Sequence, residues 1–299
     1  MTKNRTLLGI IFAIAGGVFW GFSGTCGEFV FKNYPTVDST WLCSVRILMA
    51  GFILLVISFF KYREKLLTLL KTKRDLLQTS LFGIFGLLMS QFCYLTAISY
   101  SNAGTATVLQ YVGPVMIMVI TCFAGRRLPR IAELIALILA VGGTFLIATH
   151  GNPKSLSITP EALIYGLLSA LALVFYTMLP TRVIPKYGTI PVIGVGMTVG
   201  GIILMFIVRP WRYEVQVDFA GILAIAVLLL VGTVLAYTIY LMGVEYAGAV
   251  KASVACSVEP VAAAVFSAIW IGNKFTLLDI VGFAAIISAV IILSLSKKS

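Results

Sequence analysis

The sequence predicts an all-α polytopic membrane protein: ten transmembrane helices arranged as two inverted five-helix repeats, with the N and C termini cytoplasmic. Three observations predict it. The chain is apolar in runs of membrane-spanning length, its cations alternate from loop to loop, and its two halves resemble each other at a fixed offset. Of 299 residues, 60% are hydrophobic and 11% charged, with a mean hydropathy of +1.04. Soluble domains carry roughly 25% charged residues, so this composition suits a lipid solvent.

Crossing a hydrocarbon core of about 30 Å at about 1.5 Å per residue takes about 20 apolar residues. Ten such runs lie within residues 7 to 30, 39 to 60, 76 to 98, 102 to 124, 130 to 149, 160 to 180, 188 to 208, 219 to 241, 248 to 271 and 277 to 296. The first has the short basic flank of a signal peptide, but the stretch GGVFWGFSGTCGE offers no small-residue cleavage site, so this span is expected to remain as a helix. Its Gly16, Gly17, Gly21, Gly24 and Gly27 permit close helix approach. Asp38, Asp75, Glu133, Glu161, Asp218 and Asp279 fall at helix starts, where a carboxylate caps free N–H groups and meets the positive end of the helix dipole. The stretch TLLD at residues 276 to 279 has capping-box spacing, and Pro129 and Pro160 suit first turns, where a missing N–H does no harm. Glu64 and Glu214 fall in loops. Cys26, Cys43, Cys93, Cys122 and Cys256 all sit inside spans without metal or redox spacing and read as small packing residues.

The net charge of +11 follows the loops. Lys3 and Arg5 precede the first span, and Lys61, Arg63, Lys65, Lys71, Lys73 and Arg74 fill the second loop. Arg126, Arg127, Arg130, Arg182, Lys186, Lys251, Lys297 and Lys298 continue the series, which places 16 cations on one side against five on the other (Lys32, Lys154, Arg209, Arg212, Lys274). The positive-inside rule then puts both termini in the cytoplasm. Orientation accounts for the basic excess, and no nucleic-acid partner is needed.

An offset of 146 residues lays Gly86 on Gly232, Tyr94 on Tyr240, Tyr100 on Tyr246, Ala106 on Ala252, Pro114 on Pro260 and Glu133 on Asp279 without a gap. An offset of 153 lays Tyr34 on Tyr187 and Thr36 on Thr189. The chain therefore reads as two five-helix units, residues 1–150 and 151–299, joined near HGNPKSLSITP. Five is odd, so the second unit starts on the opposite side of the membrane from the first. Secondary transporters use such inverted repeats, with the substrate near the midplane between them. A stable duplicated bundle that transports nothing is the bland alternative.

With the capping and loop acids set aside, Glu28, Glu245 and Glu259 remain, and only Glu259 is deep. It lies roughly 16 to 18 Å from either end of its span. An ionised carboxylate there carries an insertion cost of about 2.5 to 3.5 kcal/mol, so it should face the bundle interior, a watery cavity or a partner. Arg46, about 10 Å below the outer surface, is similarly out of place. It pairs with Glu259, pairs with Glu28 or snorkels outward, and acts either as a structural tie or as a clamp for a substrate carboxylate. Pro260 leaves the Cys256 carbonyl without its helical partner, and Pro114 does the same for Gln110, so each half carries a hinge at matching depth. Around these bends lie Thr107, Gln110 and Tyr111 on span four, and Ser253, Ser257 and Glu259 on span nine. Gln91 and Tyr94 on span three and Tyr237 and Tyr240 on span eight complete a candidate substrate-binding set, so spans three, four, eight and nine are expected to line a central cavity. Against this, a membrane Tyr is more often an anchor or core filler, and Ser and Thr often bond only their own helix.

No catalytic constellation is visible. His150 is the one histidine, which leaves nothing from which to assemble a Ser-His-Asp triad or a histidine metal cluster. Runs such as GGVFWG lie within an apolar span with no GK pair following, so no phosphate loop and no ATP-driven step are expected. No enzyme activity, cofactor or metal site is expected.

Taken in order, FWGFSG in span one, Arg46 in SVRILMAG, AISYSNAGTATVLQYVGPV in span four and SVEPVAAAVFSAIWIGNKFTLLDIVG into span ten resemble the drug/metabolite transporter superfamily, specifically its EamA-type members. The likeness covers essentially the whole chain. It implies a multi-pass carrier of a prokaryotic cytoplasmic membrane, with its substrate cavity among spans three, four, eight and nine. Such carriers move amino acids and their metabolites, sugars, nucleotides or toxic compounds, usually outward. The residues that carry over are Trp20, Arg46, Pro114, Glu259 and Pro260. The chain departs from the pattern where the family has a Gly-Glu pair after spans four and nine, having Arg126 and Asn273 instead. Phe175 and Tyr176 stand where the second repeat would match Trp20.

The resulting expectation is a secondary transporter that exports a small metabolite, an amino acid or related amphipathic compound, by alternating access within the lipid bilayer, with protons as a candidate coupling partner through Glu259. The alternatives are an uptake permease, a multidrug exporter, a lipid flippase and a membrane scaffold that transports nothing.

Overall fold

The computed structural model describes residues 3–100, 103–155, 159–271 and 276–295. Asn273, Lys274, Lys297 and Lys298, together with the Glu28 side chain, lie outside the described residues. All elements described are helical. The long ones are α1 (Lys3–Asn33), α2 (Ser39–Lys61), α3 (residues 73–99), α4 (103–124), α5 (Ile131–Thr149), α6 (Pro160–Met178), α7 (Thr189–Val208), α8 (219–247), α9 (249–271) and α10 (Leu277–Leu295). Among the described residues, nine helices are long and apolar enough to cross a membrane. α10 is also apolar and packs along α5.

The caps explain where these helices begin. Asp38 accepts from the backbone N–H groups of Thr40 at 2.7 Å and Trp41 at 3.2 Å. Thr159 accepts from Ala162 with Pro160 in the first turn, and Asp218 accepts from Gly221 at 2.9 Å. Thr276 and Asp279 form the reciprocal capping box that their spacing predicts. Between α8 and α9 the chain reverses through Gly248 at φ 87, a left-handed conformation that glycine adopts without a Cβ penalty.

Two acids depart from the sequence reading. Glu64 is not in a loop: it occupies the first turn of an amphipathic helix, Arg63–Lys71, that buries Leu66 and Leu69. Asp75 lies in the first turn of α3, as expected, but makes no cap bond; its carboxylate accepts from the Tyr187 hydroxyl at 2.8 Å and the Lys186 ammonium at 3.2 Å. The five cysteines are free and buried, as packing residues would be.

The long helices are interrupted in matched places. π-helical segments occupy Phe82–Leu88 in α3 and Leu230–Leu235 in α8, around Gly86 and Gly232. α4 breaks at Tyr111, and α9 tightens into a 3-10 turn over Cys256–Val258. Both breaks sit within a turn of a proline, Pro114 or Pro260, where a ring in place of an N–H cannot continue the α-helical ladder. The packing partners are matched as well. α2 packs on α7 and α5 on α10, while α1 against α8 and α9 has its counterpart in α6 against α3 and α4.

Small residues set the closest crossings. A Cβ on Gly143 would sit 2.7 Å from the Gly282 carbonyl oxygen, and one on Gly21 would sit 2.7 Å from that of Glu259. A central core is built around Ile47, Leu54, Phe82, Leu87, Tyr176, Tyr240 and Leu241, and Tyr176 and Tyr240 also line the cavity described next.

Candidate functional site

Helices α1 to α6, α8 and α9 surround a cavity of about 930 Å³. Its rim includes Phe31 and Lys32 at the end of α1, Ser39 at the start of α2, and His150 after α5, all on the face whose loops carry few cations. Its floor is an aromatic cluster. The Trp20 ring lies 4.9 Å from Tyr237 and 5.2 Å from Tyr240 between centroids, and Tyr176 lies 5.2 Å and 5.5 Å from the same two tyrosines. Edge-to-face and offset packing of this kind suits ring quadrupoles and fixes the four rings in place. The Tyr176 hydroxyl donates to the Tyr237 carbonyl at 3.3 Å, and Thr177 and Tyr240 join their hydroxyls at 3.2 Å.

The sequence-predicted residues converge on this space. Trp20 and Arg46 line it from α1 and α2, Gln91 and Tyr94 from α3, and Thr107, Gln110, Tyr111 and Pro114 from α4. Tyr237 and Tyr240 enter from α8, and Ser253, Glu259 and Pro260 from α9. Tyr94 and Thr107 share a hydrogen bond at 2.9 Å. Two serines behave differently from the rest. Ser257 is fully buried outside the cavity lining, and Ser253 lines it while its hydroxyl donates to Val250 of its own helix.

Arg46 takes a neutral partner: Nη2 donates to the Gln91 side-chain oxygen. Ion pairs join Arg127 to Glu133 and Lys186 to Asp75, and the His150 ring meets the Asp279 carboxylate at 2.8 Å. Three buried donors in the cavity wall, Arg46 Nε, Gln91 Nε2 and Trp20 Nε1, have no acceptor among the described residues. Tyr237 lies within electrostatic reach of both Arg46 and Glu259. The cavity lining therefore combines three residues that hold spare buried N–H donors with a carboxylate and an aromatic floor.

Pro260 acts differently from the expected release of a bare carbonyl. The Cys256 oxygen accepts from the Glu259 backbone N–H, closing the 3-10 turn, and it abuts Gly17 of α1, where a Cβ would lie 2.6 Å away. The bend brings α9 against α1 and aims the Glu259 side chain into the cavity.

The cavity is wider than spans three, four, eight and nine. Tyr176 from α6, Ser23 and Thr25 from α1, and Thr144 from α5 also face it. Tyr176 is one of the two residues, with Phe175, that stand where Trp20 would be matched, and that position was the signal for it. Among the span-one glycines, Gly17 and Gly21 meet neighbouring backbone, whereas a Cβ on Gly24 would meet nothing within 4 Å, because Gly24 lines the cavity.

Known proteins share this arrangement. A solved crystal structure superposes with a TM-score of 0.80 over 98% of this chain and 96% of its own, at 15% identity, which shows a common fold. A Salmonella typhimurium protein described as "Uncharacterized inner membrane transporter YicL" is 39% identical over 295 residues, spanning 99% of this chain and 98% of its own length. The Bacillus subtilis protein described as "Uncharacterized transporter YetK" is 24% identical over 287 residues, with 93% and 84% covered. The family model for EamA-like transporters matches twice, over residues 7–149 and again over 161–295. A match over nearly the whole chain, carried by helices that enclose a cavity lined by aromatic and polar side chains, makes this chain a membrane transporter and a member of the EamA-like transporter family.

Proposed function

We propose that this transporter is a secondary carrier of the bacterial cytoplasmic membrane that exports a small amphipathic metabolite, most simply an amino acid, by alternating access. One observation carries the substrate class: Arg46, Gln91 and Trp20, each holding a buried donor without an acceptor among the described residues, line the same cavity as Glu259. A buried donor without an acceptor costs about 1 to 3 kcal/mol, so a wall with several of them is matched to an acceptor-rich cargo group such as a carboxylate. Glu259 suits an ammonium, and the Trp20, Tyr176, Tyr237 and Tyr240 rings suit an apolar side chain. A phosphate would call for several converging cations, and Arg46 is the one that reaches this depth.

Alternating access is supported by the matched halves. Helix interruptions recur around Gly86 and Gly232 and beside Pro114 and Pro260, and packing partners exchange between halves. Two five-helix repeats of opposite orientation, residues 1–150 and 151–299, with Pro114 and Pro260 as hinges and both termini cytoplasmic, account for these pairings.

The test is flux in proteoliposomes, screening amino acids, sugars, cationic drugs and lipid-linked cargo, with and without a pH gradient. Saturable amino-acid flux in the wild type, with Arg46→Gln weakening affinity for the carboxylate-bearing cargo, is the expected result. Flux confined to cationic drugs would replace the reading with multidrug export. Flux confined to lipid-linked cargo would make the protein a flippase, and no flux of any solute would make it a scaffold.

A further inference from the structure

A second, separate recess lies on the outer surface of the bundle, on the face of the basic loops. It is a groove of about 430 Å³ between α2, α7 and the amphipathic Arg63–Lys71 helix, walled by Phe52, Val56, Phe59, Leu70, Val195 and Val199. Its lining is apolar apart from Thr198, whose hydroxyl donates to the Gly194 carbonyl in its own helix, so the walls offer an occupant no free polar partner. Phe52, Phe59 and Leu70 are well exposed, so the groove opens sideways to the lipid and not into the cavity.

The rim has the opposite character. Residues 61–74 carry six cations, Lys61, Arg63, Lys65, Lys71, Lys73 and Arg74, against Glu64 as the one acid. All six are exposed, and the nearby Asp75 is engaged with Tyr187 and Lys186. The Arg63 guanidinium lies over the Phe59 ring at 5.2 Å, which fixes one cation at the lip of the groove. An apolar trough capped by cations is complementary to a molecule with an aliphatic chain and a phosphate head. Clustered Lys and Arg on an interfacial helix beside a membrane span attract anionic headgroups.

We propose that this groove is a binding site for one anionic phospholipid, with an acyl chain lying between α2 and α7 and the phosphate held by Arg63 and its neighbours on the Arg63–Lys71 helix. A second copy of this chain is disfavoured as the occupant, because two such rims would face each other with like charge.

Native mass spectrometry of the purified full chain, offered phosphatidylglycerol and phosphatidylethanolamine of matched chain length, tests the site. The wild type should retain phosphatidylglycerol on the order of tenfold better. The surface variant Arg63→Gln/Lys65→Gln/Lys71→Gln should lose that preference, and Val56→Trp, which fills the trough at an exposed position, should lower retention of both lipids. Equal retention of the two lipids by the wild type would overturn the proposal. So would unchanged selectivity in the triple variant, binding of glycerol phosphate as strong as that of the intact lipid, or a dimer whose formation requires Val56.

Discussion

At the scale of single residues, Glu259 is the position with the sharpest consequence. It sits on the wall of a membrane-depth cavity, beside the bend that Pro260 imposes, and its counterpart in the other half is Gly113. If protons are coupled to cargo through this carboxylate, Glu259→Gln keeps the shape and removes the proton site. A pH gradient should then no longer drive flux, while cargo binding to detergent-purified protein weakens, because the cargo ammonium loses its carboxylate, without being abolished. Flux in the variant with the wild-type pH response would sink the coupling role, and cargo binding as tight as in the wild type would take Glu259 out of ammonium recognition. Most of this neighbourhood was legible in the sequence, because a carboxylate, an arginine and paired prolines are conspicuous in apolar runs. Ser257 is fully buried within the 3-10 turn over Cys256–Val258 and is not among the residues that line the cavity, and that turn had no signal in the sequence beyond Pro260. The Arg46 partner was equally hidden, since a neutral glutamine, Gln91, accepts where the two carboxylates were the conspicuous choices.

At the scale of elements, helix starts were legible where a cap supplies local chemistry, as at Asp38, Thr159 and the Thr276–Asp279 box. The π segments around Gly86 and Gly232 were not, because they depend on what crosses there: a Cβ on Gly86 would meet the Tyr176 backbone at 2.8 Å, and one on Gly232 would meet the Ser23 side chain at 1.9 Å. Glycines on α1 that look alike in sequence are therefore predicted to behave differently. Gly21→Ala pushes a methyl against Glu259 and Ala263 backbone atoms at 2.7 Å, and overpacking of this kind costs about 1 to 3 kcal/mol. Gly24→Ala places the same methyl in open space and should leave stability nearly unchanged. Thermal melting of both variants in detergent decides it. Equal losses would mean that α1 is limited by its own flexibility and not by its crossing with α9.

At the scale of the whole molecule, the exchange of packing partners between halves extends to one pair of hydrogen bonds. Tyr34, after α1, donates to Asp218 at the start of α8, and Tyr187, after α6, donates to Asp75 at the start of α3. The two tyrosines are the pair that the offset of 153 laid together, and five intervening helices put them at opposite ends of the bundle. Tyr34→Phe and Tyr187→Phe should each lower the melting temperature, Tyr187→Phe by more because that side chain is buried. Sites so far apart with no shared partner should add, with the double variant departing from the sum by less than about 0.5 kcal/mol. The Tyr34 joint also has a pH signature. Donation to the Asp218 carboxylate raises the Tyr34 phenol above its ordinary value, and the same bond, followed by the Gly221 N–H, holds Asp218 below the usual carboxylate range. A depressed carboxylate contributes stability that is present above its unfolded value and lost as pH falls through its folded one, whereas a raised phenol contributes stability lost only as pH rises through its own folded value. The melting difference between wild type and Tyr34→Phe should therefore hold through neutral pH and shrink on acidification below the ordinary carboxylate range. A difference that stays constant into acid would mean that Tyr34 stabilises the bundle by packing its ring on Gly221, where a Cβ would lie 2.8 Å from the ring, and not by its hydroxyl.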